Sequence, residues 1–370
     1  MKRSLLDVLV CPRTHSPLTL FEFETIQEEN KFTGSKHERI LFGVLKNASN
    51  YCYPIVNGMP RIIEGALKIY ENRLAQYKSK IDALSPHPDS YSISENFRKN
   101  FLPTQKRFEL EWREHDLQGT TWAMDQPGRM KKYREFMNLQ DSEYPGKLFL
   151  DIGAGTGQFI CTLADSLNCE VIAIDLSPSL ERGEMLRRSI KNSSHINFIQ
   201  ANLMELPFKP GTFDCMHASG VLHHTPDTRK AFEYTEQFAK TGGKFGVWLY
   251  RIVHDTFPLL PLINFPKFNY LTVRKISTKI NPTLLYYLFY SYAAFFHLAY
   301  KINQLLRGVK HTRTIKEHVT GLFDCFAPPY AFQHKPEEVK QWFEEKHYTQ
   351  IIETDQENFA GFNMSGVKNK

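Results

Sequence analysis

The chain contains no C-x-x-C pair: its six cysteines, Cys11, Cys52, Cys161, Cys169, Cys215 and Cys325, are scattered. Such thiols make no disulfide framework and are expected free, in a reducing compartment. A long apolar run is missing at the start as well. Residues 1–11 imitate a signal peptide, but Asp7 interrupts a run that is already too short, so a cytoplasmic protein is expected. No internal repeat or low-complexity segment is present, which excludes repeat architectures. Acid is missing from one whole stretch: 256–316 holds no Asp or Glu, against nine Lys and Arg.

What is present is globular. Hydrophobic residues make up 42 % of the 370 and charged ones 23 %, enough for a sizeable core in one large domain with additions, or in two. The organising stretch is 147–159. An apolar, strand-like run over 148–152 stops at Gly153, Gly155 and Gly157, and a helical pattern begins near Gln158. Glycine permits the backbone angles of such a turn and lets a ligand approach the main chain, while the helix start offers unpaired N–H groups. The spacing is G-x-G-x-G, where a dinucleotide fingerprint requires G-x-G-x-x-G, and this disfavours NAD.

Three further segments follow. Residues 170–175 form an apolar run ending in Asp175, 24 residues after Asp151, where a carboxylate can grip both hydroxyls of a ribose. Residues 196–202 form a strand ending in Asn202. The stretch 211–226 forms a fourth strand that runs into the pair His223 and His224.

In this order and spacing the four segments resemble the class I S-adenosylmethionine-dependent methyltransferases. The resemblance covers 147–250 closely and 314–370 more loosely. It implies that Asp151, Gly153, Gly155 and Gly157 hold the methionine portion of S-adenosylmethionine, that Asp175 takes the ribose, and that Asn202 with the Leu203 backbone takes the adenine. The family usually has Asp at the adenine position; the amide of Asn202 keeps an acceptor and adds a donor.

The N-terminal segment resembles the small zinc-ribbon-like proteins that activate RNA and release-factor methyltransferases. Their second knuckle cysteine is Thr14 here, and Cys11, His15 and Cys52 do not complete a four-ligand set. A ribbon without metal is expected. The alternation of strands and helices predicts an α/β fold, doubly wound on a mostly parallel sheet, and the resemblance implies that this is a seven-stranded methyltransferase sheet with an antiparallel last strand. The division expected is a degenerate ribbon-like unit over 1–65, a helical linker with cofactor-covering helices over 66–146, and a methyltransferase domain over 147–370 with a helical insertion, 251–334, after the fifth strand. One helix is expected over 97–115, carrying Phe101, Phe108, Leu110 and Trp112 and, in related enzymes, lying over the cofactor.

Methyl transfer is an in-line displacement, so positioning and water exclusion matter most. An oxygen or nitrogen acceptor must also lose a proton. His223 and His224, at the crevice edge, are the candidate bases. Tyr250 is placed to orient substrate, and His217, inside its strand, is expected to be packed. The insertion holds eight aromatics between residues 283 and 300 inside its acid-free stretch. This composition points to a small apolar or aromatic acceptor, with an anionic or lipid-like one in the same range. Peripheral contact with an anionic membrane is an alternative role for the segment. Nucleic acid is the weaker partner, because the aromatics lie in an uncharged run rather than among the basic residues. An RNA methyltransferase and a catalytically idle cofactor-binding scaffold are the competing functions.

Overall fold

The structure is a computed structural model that describes the chain except residues 115–119, 122–123, 141–143, 253–255, 261–262, 308–313, 356–360 and 370. A meander opens it: β1 (Thr19–Glu29), β2 (Lys36–Lys46), β3 (Cys52–Val56) and β4 (Met59–Ile62) pair antiparallel in succession. Helices α1 (Ala66–Ile69), α2 (Lys78–Ala83), α3 (Glu95–Asn100) and α4 (Leu102–Glu114) follow. The single helix expected over 97–115 is broken at Phe101, because Pro103 has no N–H to return to the carbonyl of Lys99. A small hairpin, β5 (Thr120–Thr121) and β6 (Met124–Asp125), leads into α5 (Gln126–Met137).

Alternation then begins. The order is β7 (Leu148–Ile152), α6 (Gln158–Leu167), β8 (Glu170–Asp175), α7 (Leu180–Arg187), β9 (Ile196–Ala201), β10 (Phe213–Ser219), α8 (Thr228–Thr235) and β11 (Ala239–Tyr250). The insertion holds a hairpin, β12 (Thr256–Leu260) and β13 (Ile263–Pro266), besides α9 (Lys267–Ser277), α10 (Pro282–Arg307) and α11 (Ile315–Phe326). Helix α12 (Pro336–Glu345) and strands β14 (Tyr348–Asp355) and β15 (Gly361–Lys368) close the chain.

Strands β7, β8 and β9 are near-continuous apolar runs, as strands covered on both faces must be. On one face Tyr133 and Phe136 of α5 and Ile160 and Leu163 of α6 pack on Phe149, Val171 and Phe198. On the other, Phe232 of α8 and Trp342 and Phe343 of α12 pack on Leu150, Ile172 and Phe245. The chain steps outward from β7 through β8 to β9 and then returns to lay β10 on the other side of β7. That reversal is a topological switch point, where ligands bind at the carboxyl ends of parallel strands.

The sheet has eleven strands where seven were expected, in the order β1-β2-β3-β4-β9-β8-β7-β10-β11-β15-β14. Strand β15 runs antiparallel to both its neighbours. The extra four strands come from the meander: β4 pairs parallel with β9, Arg61 opposite Gln200 and Ile62 opposite Ala201. The cause lies on α7, where Glu181, Glu184 and Arg187 recur at three-residue steps and so share a face. Fully buried Arg61 donates to Glu181 at 2.6 Å, and buried Arg39 reaches Glu184 at 3.3 Å. Fully buried Arg187 holds both Glu28 of β1 and Glu184 at 2.7 Å. Charges removed from water persist only when paired, so each pair fixes where the meander lies. Cys11 sits within 3.4 Å of the Tyr53 hydroxyl, and all six cysteines are free thiols. Among the described residues no group of three or more His, Cys, Asp or Glu is arranged to hold a metal ion.

Replacing Arg187 by Ala takes from half-buried Glu28 and buried Glu184 their nearest shared cation and leaves Arg39, at 3.9 and 3.3 Å, as the other. Denaturant unfolding should show a loss of roughly 3–5 kcal/mol, and a loss below about 1 kcal/mol would mean that the pairs do not fix the meander.

Candidate active site

The site begins where β7 ends. Gly155 has φ +58°, and a Cβ there would lie 2.9 Å from Cε2 of Trp112, so α4 roofs the turn directly. At Gly153, φ +76°, a Cβ would lie 2.3 Å from Val221, which closes the turn on the loop after β10. Gly157 follows as the N-cap of α6. Arg182 of α7 donates to the Arg113 carbonyl at 2.7 Å, a cation at the C-terminal end of α4 where it meets the helix dipole favourably.

Asp175 ties the two loops of the crevice together. Its Oδ2 accepts from the Gly155 N–H at 2.8 Å and its Oδ1 from the Ser177 N–H at 2.7 Å. Burial pushes its pKa up to about 6, while these backbone hydrogen bonds pull the other way. Each oxygen keeps a further lone pair for a hydroxyl. At the end of β9, Asn202 is buried, and its side-chain oxygen accepts from the Met204 N–H at 3.1 Å. The NH2 of that amide and the Leu203 N–H remain as the groups that would meet a base.

Asp151 stands in register with His217 across β7 and β10. His217 Nε2 lies 2.8 Å from Asp151 Oδ1, and its Nδ1 lies 2.8 Å from the Tyr133 hydroxyl. Burial holds the Tyr133 pKa well above that of a free phenol. A carboxylate only accepts, so His217 donates Nε2–H to Asp151 and turns Nδ1 to the Tyr133 hydroxyl. His217 is buried as expected, yet it is hydrogen-bonded at both nitrogens rather than merely packed. Near Asp151, Arg129 of α5 lies over the Phe159 ring at 5.0 Å; burial lowers its pKa to about 10, against the pull of Asp151. Together these groups could hold a cofactor: two buried or half-buried carboxylates, able to take a cation and hydroxyls, and a buried amide able to meet a base.

A second cluster, of two carboxyl groups and two histidines, lies beside it. His223 and His224 form a short turn after β10, Tyr250 ends β11, Asp324 and Cys325 lie near the end of α11, and Glu111 comes from α4. Tyr250 donates its hydroxyl to Asp324. His224 donates Nδ1–H to the Tyr330 carbonyl at 2.8 Å, and its Nε2 lies 3.6 Å from Asp324. The Phe108 ring of α4 meets His224 edge-on at 5.0 Å. His223 is fully buried between His224 and Tyr250, with ring centroids 4.2 and 4.1 Å away, and neither of its nitrogens has a hydrogen-bond partner. Burial, then the neighbouring His224, holds its pKa well below the usual imidazole value. Glu111 is likewise buried with both oxygens unpartnered. Burial and then the Asp324 charge hold its pKa well above the usual carboxyl range.

Sequence reasoning named His223, His224 and Tyr250, and the three rings do meet. Glu111 and Asp324 were missed. Glu111 stands three residues after Phe108, hence on the apolar face of α4, and Asp324 is a single acid inside a run of Leu, Phe and Cys.

Residues 150–247 match the model of a methyltransferase domain. The cycloartenol-C-24-methyltransferase of Arabidopsis thaliana is 24 % identical over 179 residues, 48 % of this chain and 49 % of that protein. The ubiquinone/menaquinone biosynthesis C-methyltransferase UbiE of Haemophilus ducreyi is 33 % identical over 130 residues, 34 % of this chain and 49 % of that one. Among solved structures, phosphoethanolamine N-methyltransferase 2 of Haemonchus contortus in complex with S-adenosyl-L-methionine is 14 % identical with a TM-score of 0.42, covering 77 % of this chain and 62 % of that chain. The chain spans about half the length of the curated relatives it matches.

If Asp175 takes both hydroxyls of a ribose, it has to be ionised to do so. With its pKa near 6, cofactor affinity measured by calorimetry should be flat above neutrality and fall as pH drops through 6, approaching tenfold per unit. Asp175→Asn should bind about 1–3 kcal/mol more weakly at high pH and lose the pH step. Wild-type affinity in that variant would remove Asp175 from the site.

Proposed function

We propose that this chain, which carries a class I S-adenosylmethionine-dependent methyltransferase domain, transfers a methyl group from S-adenosylmethionine to a small apolar or aromatic acceptor. The observation that carries this reading is the pairing of two sites at one sheet edge: carboxylates suited to the cofactor at β7 and β8, and a buried acid-base cluster at the ends of β10 and β11. Helix α4 spans both, with Trp112 on the glycine turn and Phe108 on His224. The relatives act on cycloartenol and in ubiquinone/menaquinone biosynthesis, which supports an apolar, lipid-like acceptor and lends the RNA reading nothing.

When bound, S-adenosylmethionine supplies a methyl carbon activated by its positive sulfur, and S-adenosylhomocysteine remains after transfer. The protein then has two tasks, to exclude water and to move a proton. Phe108, Trp112, Trp248 and Tyr250 provide the apolar walls. For the proton, a base works best with a pKa near the working pH. Burial makes His223 resist protonation, whereas the same burial makes carboxylate a stronger base at Glu111. The base we assign is therefore the Glu111–Asp324 pair, with Tyr250 as the hydroxyl that orients the acceptor, and His223 as a neutral wall beside it. The acceptor gives its proton to that pair as its lone pair forms the new bond to carbon.

The full chain incubated with S-adenosylmethionine carrying a tritiated methyl group, and separately with an organic extract of cells and with total RNA, tests this directly. Label should enter an extractable small molecule, and Asp324→Asn should lower kcat by about 10²- to 10⁴-fold with cofactor affinity unchanged. Label in RNA would overturn the reading, and bound cofactor with no transfer to either would leave an idle scaffold.

A further inference from the structure

Helix α10 is apolar on two sides. Leu285, Tyr286 and Ala293 are buried against Leu110 of α4 and Val319 and Phe323 of α11, which accounts for one stripe. A second stripe faces away from the protein. Leu284, Leu288, Phe295, Leu298, Ile302 and Leu305 recur at steps of three, four and seven residues, and each is 48 to 85 % exposed. At 1.5 Å per residue this face runs for about 30 Å. Single exposed leucines are ordinary on a protein surface; a stripe of this length, interrupted only by Ser291, whose hydroxyl returns to the Tyr287 carbonyl, marks an interaction site.

Charge decides the occupant. Lys275, Lys279, Lys301 and Lys316 are all exposed, and no acid occurs anywhere in 256–316. A seam between two helices of like chains carries acids to pair with its flanking bases. Two copies of this face would bring lysine to lysine, and α10 itself carries no acid to pair with them. No helix among the described residues is long and apolar enough to cross a membrane, and the inner stripe of α10 is committed to α4 and α11. A helix with one face held by its own protein and the other apolar with basic flanks lies in the plane of a lipid surface. Tyr287 and Tyr290, 64 and 41 % exposed, add rings of the kind that settle at the headgroup level.

We propose that the exposed face of α10 seats on an anionic lipid bilayer, its apolar stripe among the acyl chains and its lysines at the headgroups. The inference is read from binding and stands apart from the transfer reaction. Because α4 and α11 also supply Glu111 and Asp324, seating there holds the acid-base cluster about one helix packing distance, some 10 Å, from the lipid.

The purified full chain is to be sedimented with vesicles of phosphatidylcholine alone and with equal parts of phosphatidylcholine and phosphatidylglycerol. It should pellet with the anionic vesicles only, and added salt should weaken the binding. The double variant Leu288→Glu/Leu298→Glu should stay in the supernatant while keeping the wild-type circular dichroism spectrum. Lys279→Glu/Lys301→Glu, which leaves every apolar contact in place, should bind about tenfold or more weakly. Absence from both pellets, equal binding to both vesicles, or a stable dimer in solution that either double variant dissolves would each overturn the proposal.

Discussion

The crevice depends on one carboxylate accepting two backbone hydrogen bonds. Asp175 joins the glycine turn after β7 to the loop after β8 through the N–H groups of Gly155 and Ser177. Those loops belong to different strand-to-helix connections, and the sheet alone does not set their separation. Once they are tied, the register of β7 with β10 brings Asp151 to His217, and the Tyr133 hydroxyl holds the other nitrogen of that ring. Three strand ends are thereby locked to one another before any ligand arrives, which is how a site keeps its geometry at little cost on binding.

Above this edge the protein places groups that fare badly without a partner. A buried carboxyl with two orphan oxygens and a buried imidazole with two orphan nitrogens are both unfavourable in a folded chain. They are found here together, between α4, α11 and the ends of β10 and β11. Strain of this kind gathers where chemistry is done, and the displaced pKa values of Glu111 and His223 go in opposite directions for the same physical reason. The layer that holds them, α4 with α10 and α11, has polar groups toward the sheet and an apolar surface toward the outside. Its two sides thus differ in chemistry, the inner one lined by the buried acid-base cluster and the outer one by exposed leucines.

Much of this was legible in the chain. Strands buried on both faces announce themselves as apolar runs, and the three glycines, Asp151, Asp175 and Asn202 stand at the ends of such runs, so their meeting at one edge follows from topology. What escaped depended on distant pairing. The union of β4 with β9 rests on Arg39, Arg61 and Arg187 buried against Glu28, Glu181 and Glu184, and charged residues read as solvent-facing until their partners are known. Eleven strands therefore looked like seven and a separate ribbon. Glu111 and Asp324 were hidden in the same way, as acids on helices. His217 was read correctly as buried, but burial alone did not disclose that it bridges Asp151 and Tyr133. The break at Pro103, by contrast, needed no partner and could have been read directly.

The most direct test is a crystal structure of the chain grown with S-adenosylhomocysteine. The ribose hydroxyls should rest on Asp175, the amino group of the homocysteine portion should meet Asp151, and the sulfur should point toward Tyr250 and Asp324 beneath α4. A ligand bound elsewhere, or one seated in the crevice with its sulfur turned away from that cluster, would contradict the assignment of this edge as the place of methyl transfer.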